Sequence, residues 1–440
     1  MSTETTSKTG GFLGWYFGTN LLVRILTGLI LGGIVGIILG YYPDAAKAFI
    51  DNGGRFFGDL FIRLLKMIVV PVILFSLITG AASITPSQIG RTGGKTILYY
   101  FVTSIIAVSI GLAIAMLFRP GEGLNMVGME GAAAKVAKSP ALADVFLNIV
   151  PTNPVESLAK GDVLPIIFFA LVAGIGLSVL RDSKNETVAR QANALYDACA
   201  AAAEVIYKIV GGIMQYAPIG VFCLIAIVFA QQGPRVVGPL AYVTLAVYVG
   251  LILHLVIGYG GLLMAFGLGF GKFIQGARAP MITAFVTRSS SGTLPVTLRA
   301  TEDILGVPRS ISSFILPIGA TVNMDGTAIY ITICAAFIGF AIGSPLDGGQ
   351  MITLMITATL AAVGTAGVPG AGALMLIMAL ESVGLKVEAG SAVAATYAMV
   401  LGIDALLDMG RTCMNVTGDI AGVAIVAKTE KVLDEGKWTA

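Results

Sequence analysis

The sequence predicts an all-α polytopic membrane protein, and three observations support that class. Hydrophobic residues make up 56% of the 440-residue chain and charged residues only 12%, against about 25% charged residues in soluble domains. Apolar runs of about 20 residues, the length that crosses a bilayer as a helix, recur along the chain. Several of the later runs are interrupted by polar and glycine-rich stretches, which predict broken helices and hairpins within the membrane.

The first half of the chain consists mainly of uninterrupted apolar segments. We predict spanning helices for these segments, an exposed loop after the third, and helical pieces where prolines interrupt the pattern. The predicted elements are helices at Leu22–Tyr41, Leu60–Ile84 and Thr96–Phe118, a loop at Arg119–Lys138, proline-broken pieces over Leu142–Leu180, an alanine-rich helix from Glu186 into Ile206–Ala230 with a bend at Pro218, and a helix at Val236–Leu268.

The second half contains the interrupted segments. They are Phe270–Gly306 (interrupted at 287–295), Arg309–Gly343 (at 323–327) and Met351–Val383 (at 364–372). In the first and third, each flank is short for a full span, which favours a hairpin that enters and leaves on the same side. A hairpin followed by a long helix therefore occurs twice. This order is the sequence pattern of inverted repeats with a binding site near the midplane.

The last apolar segment, Val393–Val426, carries a stripe of polar and charged residues. The stripe consists of Asp404, Asp408, Arg411, Thr412, Asn415 and Asp419. At 100° per residue these positions fall within about 100° of the helix circumference. Each charge at the centre of a bilayer costs about 2.5–3.5 kcal/mol on insertion scales. The stripe is therefore expected to face the protein interior, and we predict a transport site along it.

Charge and shape predict roles for individual residues near the stripe. The guanidinium of Arg411 presents a permanently charged, bidentate fork that suits a side-chain carboxylate. Asp408, one turn earlier, is placed to bind an ammonium group, while Ser290 and the backbone amides of the first interruption suit an α-carboxylate. The alternative for Arg411 is a buried ion pair with Asp408 or Asp404.

Charge counting predicts that cations bind together with the substrate. The ionisable residues at the interruptions and on the stripe are Asp325, Asp404, Asp408, Asp419, Arg288 and Arg411. They carry a net charge of about −2, and a bound acidic amino acid would add another negative charge. A low-dielectric site would then take up about two to three monovalent cations or protons. The available oxygen ligands suit a hard cation such as Na⁺.

Four motifs in the second half resemble those of one known family. They are TRSSSGTLP at 287–295, NMDGT at 323–327, GTAGVPG at 364–370 and DMGRT at 408–412, the last followed by Asn415 and Asp419. Over nearly its whole length the chain resembles the glutamate transporter family, the dicarboxylate/amino acid:cation symporters. Within that family it looks most like the archaeal sodium-aspartate transporters, since Arg288 is present and Met409 replaces an arginine of animal members.

The resemblance implies an architecture and a movement. It implies a homotrimer in which each chain has eight transmembrane helices plus two re-entrant helical hairpins, with inverted repeats. Scaffold helices 1–2 would lie in residues 1–95 and scaffold helices 4–5 in 119–231. Helix 3 of a transport domain would lie in 96–118, and the rest of that domain (helix 6, hairpin 1, helix 7, hairpin 2 and helix 8) in 236–427. The transport domain would move by elevator-type alternating access.

The resemblance also implies a set of site residues. Those for the substrate are Arg288, Ser289, Ser290, Met324, Thr327, Val368, Gly372, Asp408, Arg411, Thr412 and Asn415. Three sodium sites are implied, formed by Gly319, Asn323, Asn415 and Asp419; by the backbone of Thr321, Ala362, Val363 and Thr365; and by Tyr100, Thr103, Ser104, Asn323 and Asp325.

The expected function is sodium-coupled symport of acidic amino acids, L-aspartate and possibly glutamate. The alternative is proton-coupled symport of dicarboxylates or amino acids, and one methylene is too small a difference to separate aspartate from glutamate. We expect no enzymatic activity and, at a net charge of +2, no nucleic-acid partner. The expected surroundings are membrane lipid. The Lys and Arg bias between loops predicts a multi-pass protein of the cell membrane with both termini in the cytoplasm.

Rival functions find little support in the residues. The stretch Arg91–Thr96 resembles a phosphate-binding loop, but Ile89 stands where its first glycine is required, which argues against an ATP-driven pump. The single histidine, His254, excludes a bis-histidine haem site, and we predict that it packs or forms an interhelical hydrogen bond. A pure channel would show ion flux without saturable amino acid uptake.

Overall fold

The computed structural model describes residues 19–83, 86–124, 126, 147, 149–362, 365, 367 and 369–439. Within these residues the regular structure is helical and no strand is present, which confirms the all-α prediction. Seven helical stretches of the described chain are long and apolar enough to cross a membrane. One of them, Glu186–Ala265, has 80 residues, about 120 Å of helix, and is therefore long enough for more than one crossing. The expected number of eight spanning helices stays a prediction.

The first half of the fold contains nine helices within its described residues. In chain order they are α1 Leu21–Gly40, α2 Pro43–Phe49, α3 Arg55–Ala82, α4 Pro86–Phe118, α5 Pro154–Lys160, α6 Val163–Arg181, α7 Glu186–Gln232, α8 Val237–Leu253 and α9 Gly261–Ala265. A π-helical turn, His254–Gly260, joins α8 to α9. The helical pieces predicted after residue 142 are present as α5 and α6. The predicted loop at residues 119–138 lies mostly outside the described residues.

Small residues bring α1 close to α7. Three glycines of α1, spaced four residues apart, face the backbone of α7, where an added Cβ would overlap a carbonyl oxygen at each position. The facing pairs are Gly28 with Pro218, Gly32 with Phe222 and Gly36 with Ala226. Such small-residue spacing allows membrane helices to approach closely and gain van der Waals contact. The helices α3 and α6 also pack together and against α7.

The second half contains each of the predicted interruptions. Its helices are α10 Phe270–Thr287, α11 Ser290–Arg299, α12 Arg309–Val322, α13 Asp325–Ala341, α14 Gly348–Ala362, α15 Ala371–Ser382, α16 Ala392–Thr429 and α17 Gly436–Thr439. The α10–α11 and α14–α15 pairs pack side by side as hairpins. The α12–α13 pair is the broken helix, and α16 carries the polar stripe without interruption.

The broken helix and α16 form the interior of this half. Every residue of α13 is buried, and α13 packs against α4, α8 and α16. The α10 helix of the first hairpin packs along α16. The breaks at residues 288–289 and 323–324 consequently meet the polar stripe. The arrangement confirms that the stripe faces the protein interior.

Candidate substrate and cation site

A small polar cavity lies between the two hairpin breaks, the broken helix and α16. Its side chains nearly fill it, and the free volume of about 10 Å³ is room for about one water molecule. Its lining residues are Arg288, Ser290, Met324, Thr327, Thr365, Gly367, Ala371, Gly372, Asp408, Arg411, Thr412 and Asn415. The structure thus brings together most of the residues predicted for the substrate. Ser289 is not among the lining residues, and Val368 lies outside the described residues.

Arg411 is paired within the protein. Its Nη1 and Nη2 donate to the two carboxylate oxygens of Asp404 at 2.7 and 3.3 Å, and its Nε donates to Asp408 Oδ1 at 2.9 Å. The guanidinium also lies 4.4 Å from the centre of the Tyr330 ring, and the side chain is 1% exposed. The ion-pair alternative is therefore realised in this conformation. A substrate carboxylate therefore has to replace Asp404 or Asp408 at one of these guanidinium nitrogens.

Asp408 connects the stripe to the second hairpin. Besides Arg411, its carboxylate accepts hydrogen bonds from the Thr412 hydroxyl at 3.2 Å and from the Gly370 backbone N–H at 3.3 Å. Gly372, in the same hairpin, lies so close to Arg411 that an added Cβ would overlap the guanidinium. The second hairpin consequently closes directly over the charged pair.

The breaks of the two hairpins touch each other. Ser289 caps α11 by accepting from Gly292 N–H at 3.0 Å, and its hydroxyl donates to the Gly367 carbonyl at 2.9 Å. The Ser291 N–H donates to the same carbonyl at 3.4 Å. Arg288, at the end of α10, has φ of +54°, an uncommon conformation for a non-glycine residue. Ser289 therefore joins the two hairpins, and its role in substrate binding stays a prediction.

Asn415 holds the break in the α12–α13 helix. Its side-chain oxygen accepts from the Gly326 N–H at 2.8 Å. Its amide group contacts the Met324 sulfur at 2.9 Å and the Thr327 hydroxyl at 3.3 Å. Each of these partners is buried. Asn415 thus accepts a hydrogen bond from a backbone N–H that the break leaves without a helical partner. Its amide group also holds the Met324 and Thr327 side chains at the cavity.

The predicted first sodium site is a cluster of buried oxygen atoms. Asn323 donates to the Asn415 carbonyl at 3.2 Å and to Asp419 Oδ1 at 3.0 Å. A Cβ added to Gly319 would overlap both Asp419 Oδ1 and the Tyr100 hydroxyl, so these two oxygens converge over the glycine. The Tyr100 hydroxyl and Asn323 Oδ1 are buried and have no hydrogen-bond partner among the residues that the structure describes.

No lysine or arginine of the described chain forms an ion pair with Asp419. A buried carboxylate needs compensating charge or hydrogen bonds. Converging carboxylate, phenol, amide and carbonyl oxygens are hard ligands that suit Na⁺. The residues predicted for the first site, together with Tyr100, which was predicted for the third, therefore fit a monovalent cation.

The predicted third site centres on Asp325. Ser104 of α4 donates to Asp325 Oδ1 at 2.8 Å, and the Thr103 hydroxyl bonds to the Tyr100 carbonyl at 3.1 Å. Two further residues, His254 and Tyr259, contact Asp325 Oδ2 at 3.1 and 2.9 Å. The expected interhelical hydrogen bond of His254 is confirmed. Tyr259 was missed, because a tyrosine in an apolar helix gives no local indication of its partner.

The predicted second site consists of backbone groups, and the hydroxyls of its two threonines bond elsewhere. The Thr321 hydroxyl donates to the Ile318 carbonyl at 3.1 Å, and the Thr365 hydroxyl to the Ala361 carbonyl at 2.8 Å. Ala362 ends α14, and Val363 lies outside the described residues. Both hydroxyls thus bond to their own segments, and this ligand set stays a prediction.

Gly319→Ala should weaken cation binding. Its Cβ would overlap Asp419 Oδ1 and the Tyr100 hydroxyl, so the two oxygens must separate. We expect the Na⁺ concentration for half-maximal substrate binding to rise by roughly tenfold or more, equivalent to about 1.4 kcal/mol. The control is Gly211→Ala in α7, where an added Cβ meets nothing within 4 Å. Equal Na⁺ dependence in the two variants would contradict the site.

A family model described as the sodium:dicarboxylate symporter family matches residues 21–429. The chain belongs to this family. Because its members are described as symporters and the chain has several helices able to span a membrane, it is a multi-pass membrane protein of a transporter family. The match extends from α1 to the end of α16, and so includes every residue of the candidate site.

The names of relatives in this family state several different transport activities. The chain is 34% identical over 422 residues to the proton/sodium-glutamate symport protein of Geobacillus stearothermophilus, covering 94% of this chain and 95% of the relative. It is 34% identical over 431 residues to the proton/glutamate-aspartate symporter of Escherichia coli (strain K12), covering 96% and 95%. It is 30% identical over 424 residues to the C4-dicarboxylate transport protein of Bacillus subtilis (strain 168), covering 95% of each. These relatives are bacterial, and the likeness to archaeal transporters stays a prediction.

Proposed function

We propose that the protein is a secondary active transporter that carries an acidic amino acid, L-aspartate or glutamate, together with Na⁺. This proposal rests on the observation that two buried features lie in the same protein interior. One is the polar cavity with the Arg411 fork, and the other is the oxygen cluster around Asp419. The first suits a dicarboxylic amino acid and the second suits a cation.

Electrostatics makes the two ligands dependent on each other. The described interior contains four aspartates, Asp325, Asp404, Asp408 and Asp419, and all are buried. An acidic substrate adds negative charge where the dielectric is low, which is costly without compensation. Cations at Asp325 and Asp419 reduce that cost. Na⁺ is therefore expected to raise substrate affinity, and by linkage the substrate raises Na⁺ affinity.

Proton coupling is the second candidate. Two of the relatives are named for protons together with glutamate or aspartate, and a third for C4-dicarboxylates. A protonated carboxylate also removes a buried negative charge. The oxygen cluster favours Na⁺, because one cation can bind the Tyr100 hydroxyl, Asn323 Oδ1 and Asp419 together, whereas a protonated Asp419 has a single O–H and can donate to only one of the two unpartnered oxygens.

The deciding experiment is uptake of labelled L-aspartate into proteoliposomes that contain the purified protein. We expect uptake with an inward Na⁺ gradient and none with a proton gradient in Na⁺-free buffer. Unlabelled glutamate and succinate, added as competitors, would rank the substrates. Uptake driven by the proton gradient alone would favour the second candidate. Ion flux without saturable aspartate uptake would contradict transport by symport.

For the whole molecule we propose a homotrimer in the cell membrane with both termini in the cytoplasm. Residues 1–95 and 119–231 would form the scaffold, and residues 96–118 and 236–427 the moving transport domain. The packing of α1 and α3 against α7 supports the first grouping, and that of α4 with α13 and α16 and of α10 with α16 supports the second. The proposed movement carries the closed cavity across the membrane as one body.

One contact between the two proposed parts provides a test of that movement. Lys66 of α3 lies 2.8 Å from Glu381 of α15 and also donates to the Val387 carbonyl at 3.1 Å. A protein that carries Lys66→Cys and Glu381→Cys and lacks the four native cysteines should be cross-linked by a short reagent with two thiol-reactive maleimide groups. We expect transport to fall in proportion to the cross-linked fraction while aspartate binding persists. Each single-cysteine variant is the control, and undiminished transport by cross-linked protein would contradict an elevator movement.

A further inference from the structure

The π-helical turn His254–Gly260 lies beside Asp325 and changes which side chains share a face. In an α-helix, residues five apart lie about 140° from each other around the axis. In a π-helix, hydrogen bonds join residues five apart, so such residues lie nearly above one another. His254 and Tyr259 are five apart, and their ring centres are separated by 4.5 Å. The turn therefore presents an imidazole and a phenol to the same neighbour.

Both rings contact the same oxygen of Asp325. His254 Nε2 lies 3.1 Å from Oδ2, and the Tyr259 hydroxyl donates to Oδ2 at 2.9 Å. An ionised carboxylate only accepts hydrogen bonds, so this contact requires the His254 tautomer that carries its proton on Nε2. The buried Nδ1, which has no partner in the protein, is then a lone pair rather than an unsatisfied donor.

Hydrogen bonds from three side chains leave the Asp325 carboxylate free on one side only. A carboxylate offers about four lone-pair sites, two on each oxygen. His254 and Tyr259 occupy those of Oδ2, and Ser104 donates to Oδ1 at 2.8 Å. About one site is left, on the oxygen that faces α4. The carboxylate is thereby oriented toward the helix that carries Ser104 and the unpartnered Tyr100 hydroxyl.

We propose that His254 and Tyr259 are positioning residues for Asp325, and that the π-helical turn thereby sets the affinity of the cation site that Asp325 forms. The inference rests on the proposed function, in which Asp325 is a cation ligand. Neither residue belongs to the ligand set that the sequence predicted. Removing a hydrogen-bond partner of a cation ligand typically lowers cation affinity by about 10- to 100-fold. An effect of that order is expected at this site.

Two variants disturb the positioning in different ways. Tyr259→Phe removes one hydroxyl and keeps the ring. Gly258→Ala leaves the imidazole chemically intact, but its Cβ would lie 2.6 Å from His254 Nδ1, so the ring must move. The matched controls are Tyr248→Phe, which removes a hydroxyl that donates to the Leu406 carbonyl at 2.8 Å, and Gly261→Ala, whose Cβ meets nothing within 4 Å.

The experiment is aspartate binding by the full-length protein over a range of Na⁺ concentrations, with thermal stability measured in parallel. Tyr259→Phe and Gly258→Ala should raise the half-maximal Na⁺ concentration by about tenfold or more, with aspartate affinity at saturating Na⁺ close to that of the unsubstituted protein. The control variants should leave the half-maximal Na⁺ concentration and the aspartate affinity unchanged. A merely structural role would lower stability and leave the Na⁺ dependence unaltered.

Two outcomes would overturn the inference. One is an unchanged Na⁺ dependence in Tyr259→Phe, which decides the question even if Gly258→Ala fails to fold. The other is an equal loss of aspartate affinity at every Na⁺ concentration. Sodium-independent binding by the unsubstituted protein would be a different failure, because it would refute the proposed sodium coupling and this inference with it.

Discussion

Arg411→Ala is expected to abolish the binding of acidic amino acids. Arg411 is the fully buried arginine of the cavity, and its fork is shared between Asp404 and Asp408. Truncating one partner of a buried, hydrogen-bonded charge pair costs about 2–5 kcal/mol. The dissociation constant for aspartate should therefore rise by about 30-fold or more. Equilibrium binding of labelled aspartate at saturating Na⁺ measures the effect.

Two further variants separate the roles of Arg411. Arg411→Lys keeps the charge and loses the fork, so it should also bind aspartate poorly. Arg278→Ala, in α10, replaces an exposed arginine and should bind normally. Because the Arg411→Ala cavity retains Asp408, it should accept a neutral amino acid. If the Arg411→Ala variant binds neither aspartate nor a neutral amino acid and is less stable, Arg411 would belong to the internal ion pair alone. Unchanged aspartate affinity would contradict its role in substrate binding.

Asp419→Asn is expected to make substrate binding require far more Na⁺. The substitution keeps the shape of the side chain, but it removes the charge from the oxygen that converges with the Tyr100 hydroxyl over Gly319. Coupling between two ligands is typically worth about 5- to 150-fold in affinity. We therefore expect aspartate affinity to fall by at least about tenfold at low Na⁺ and to recover at high Na⁺. Aspartate titrations at several fixed Na⁺ concentrations measure this dependence.

The matched control for this variant is Asp303→Asn, because Asp303 is exposed beyond α11 and should have no influence on Na⁺ dependence. Asp325→Asn should behave like Asp419→Asn if each carboxylate is a cation ligand. A loss of aspartate affinity that is the same at every Na⁺ concentration would place Asp419 in the substrate cavity or in the packing, rather than in a cation site.

Much of the site could be predicted because the responsible signals are local. A polar stripe on an apolar helix costs too much free energy to face lipid, so the interior position of residues 404–419 follows from periodicity alone. Prolines, glycines and serines interrupt the other segments where the structure ends its helices, at Thr287, Val322 and Ala362. The convergence of these breaks on one cavity was predicted from their order along the chain together with the family resemblance.

The particular partners could not be predicted from the sequence in the same way. Ser289 was expected at the substrate, and in the structure its hydroxyl joins the two hairpin breaks through the Gly367 carbonyl, a contact that the sequence did not predict. Arg411 had two possible assignments, and the structure pairs it with both Asp404 and Asp408. In each case the choice depends on which side chain a second segment brings within hydrogen-bond distance.

The sequence by itself determined the all-α membrane class, the location of the helix breaks and the inward direction of the polar stripe, because each depends on hydropathy and spacing within one segment. Only the tertiary structure decided that His254 and Tyr259 hold Asp325, and that the Asp419 and Tyr100 oxygens converge over Gly319. These contacts join residues more than 60 positions apart in the sequence. They require the packing of α4, α12, α13 and α16 with the π-helical turn His254–Gly260, which no local pattern specifies.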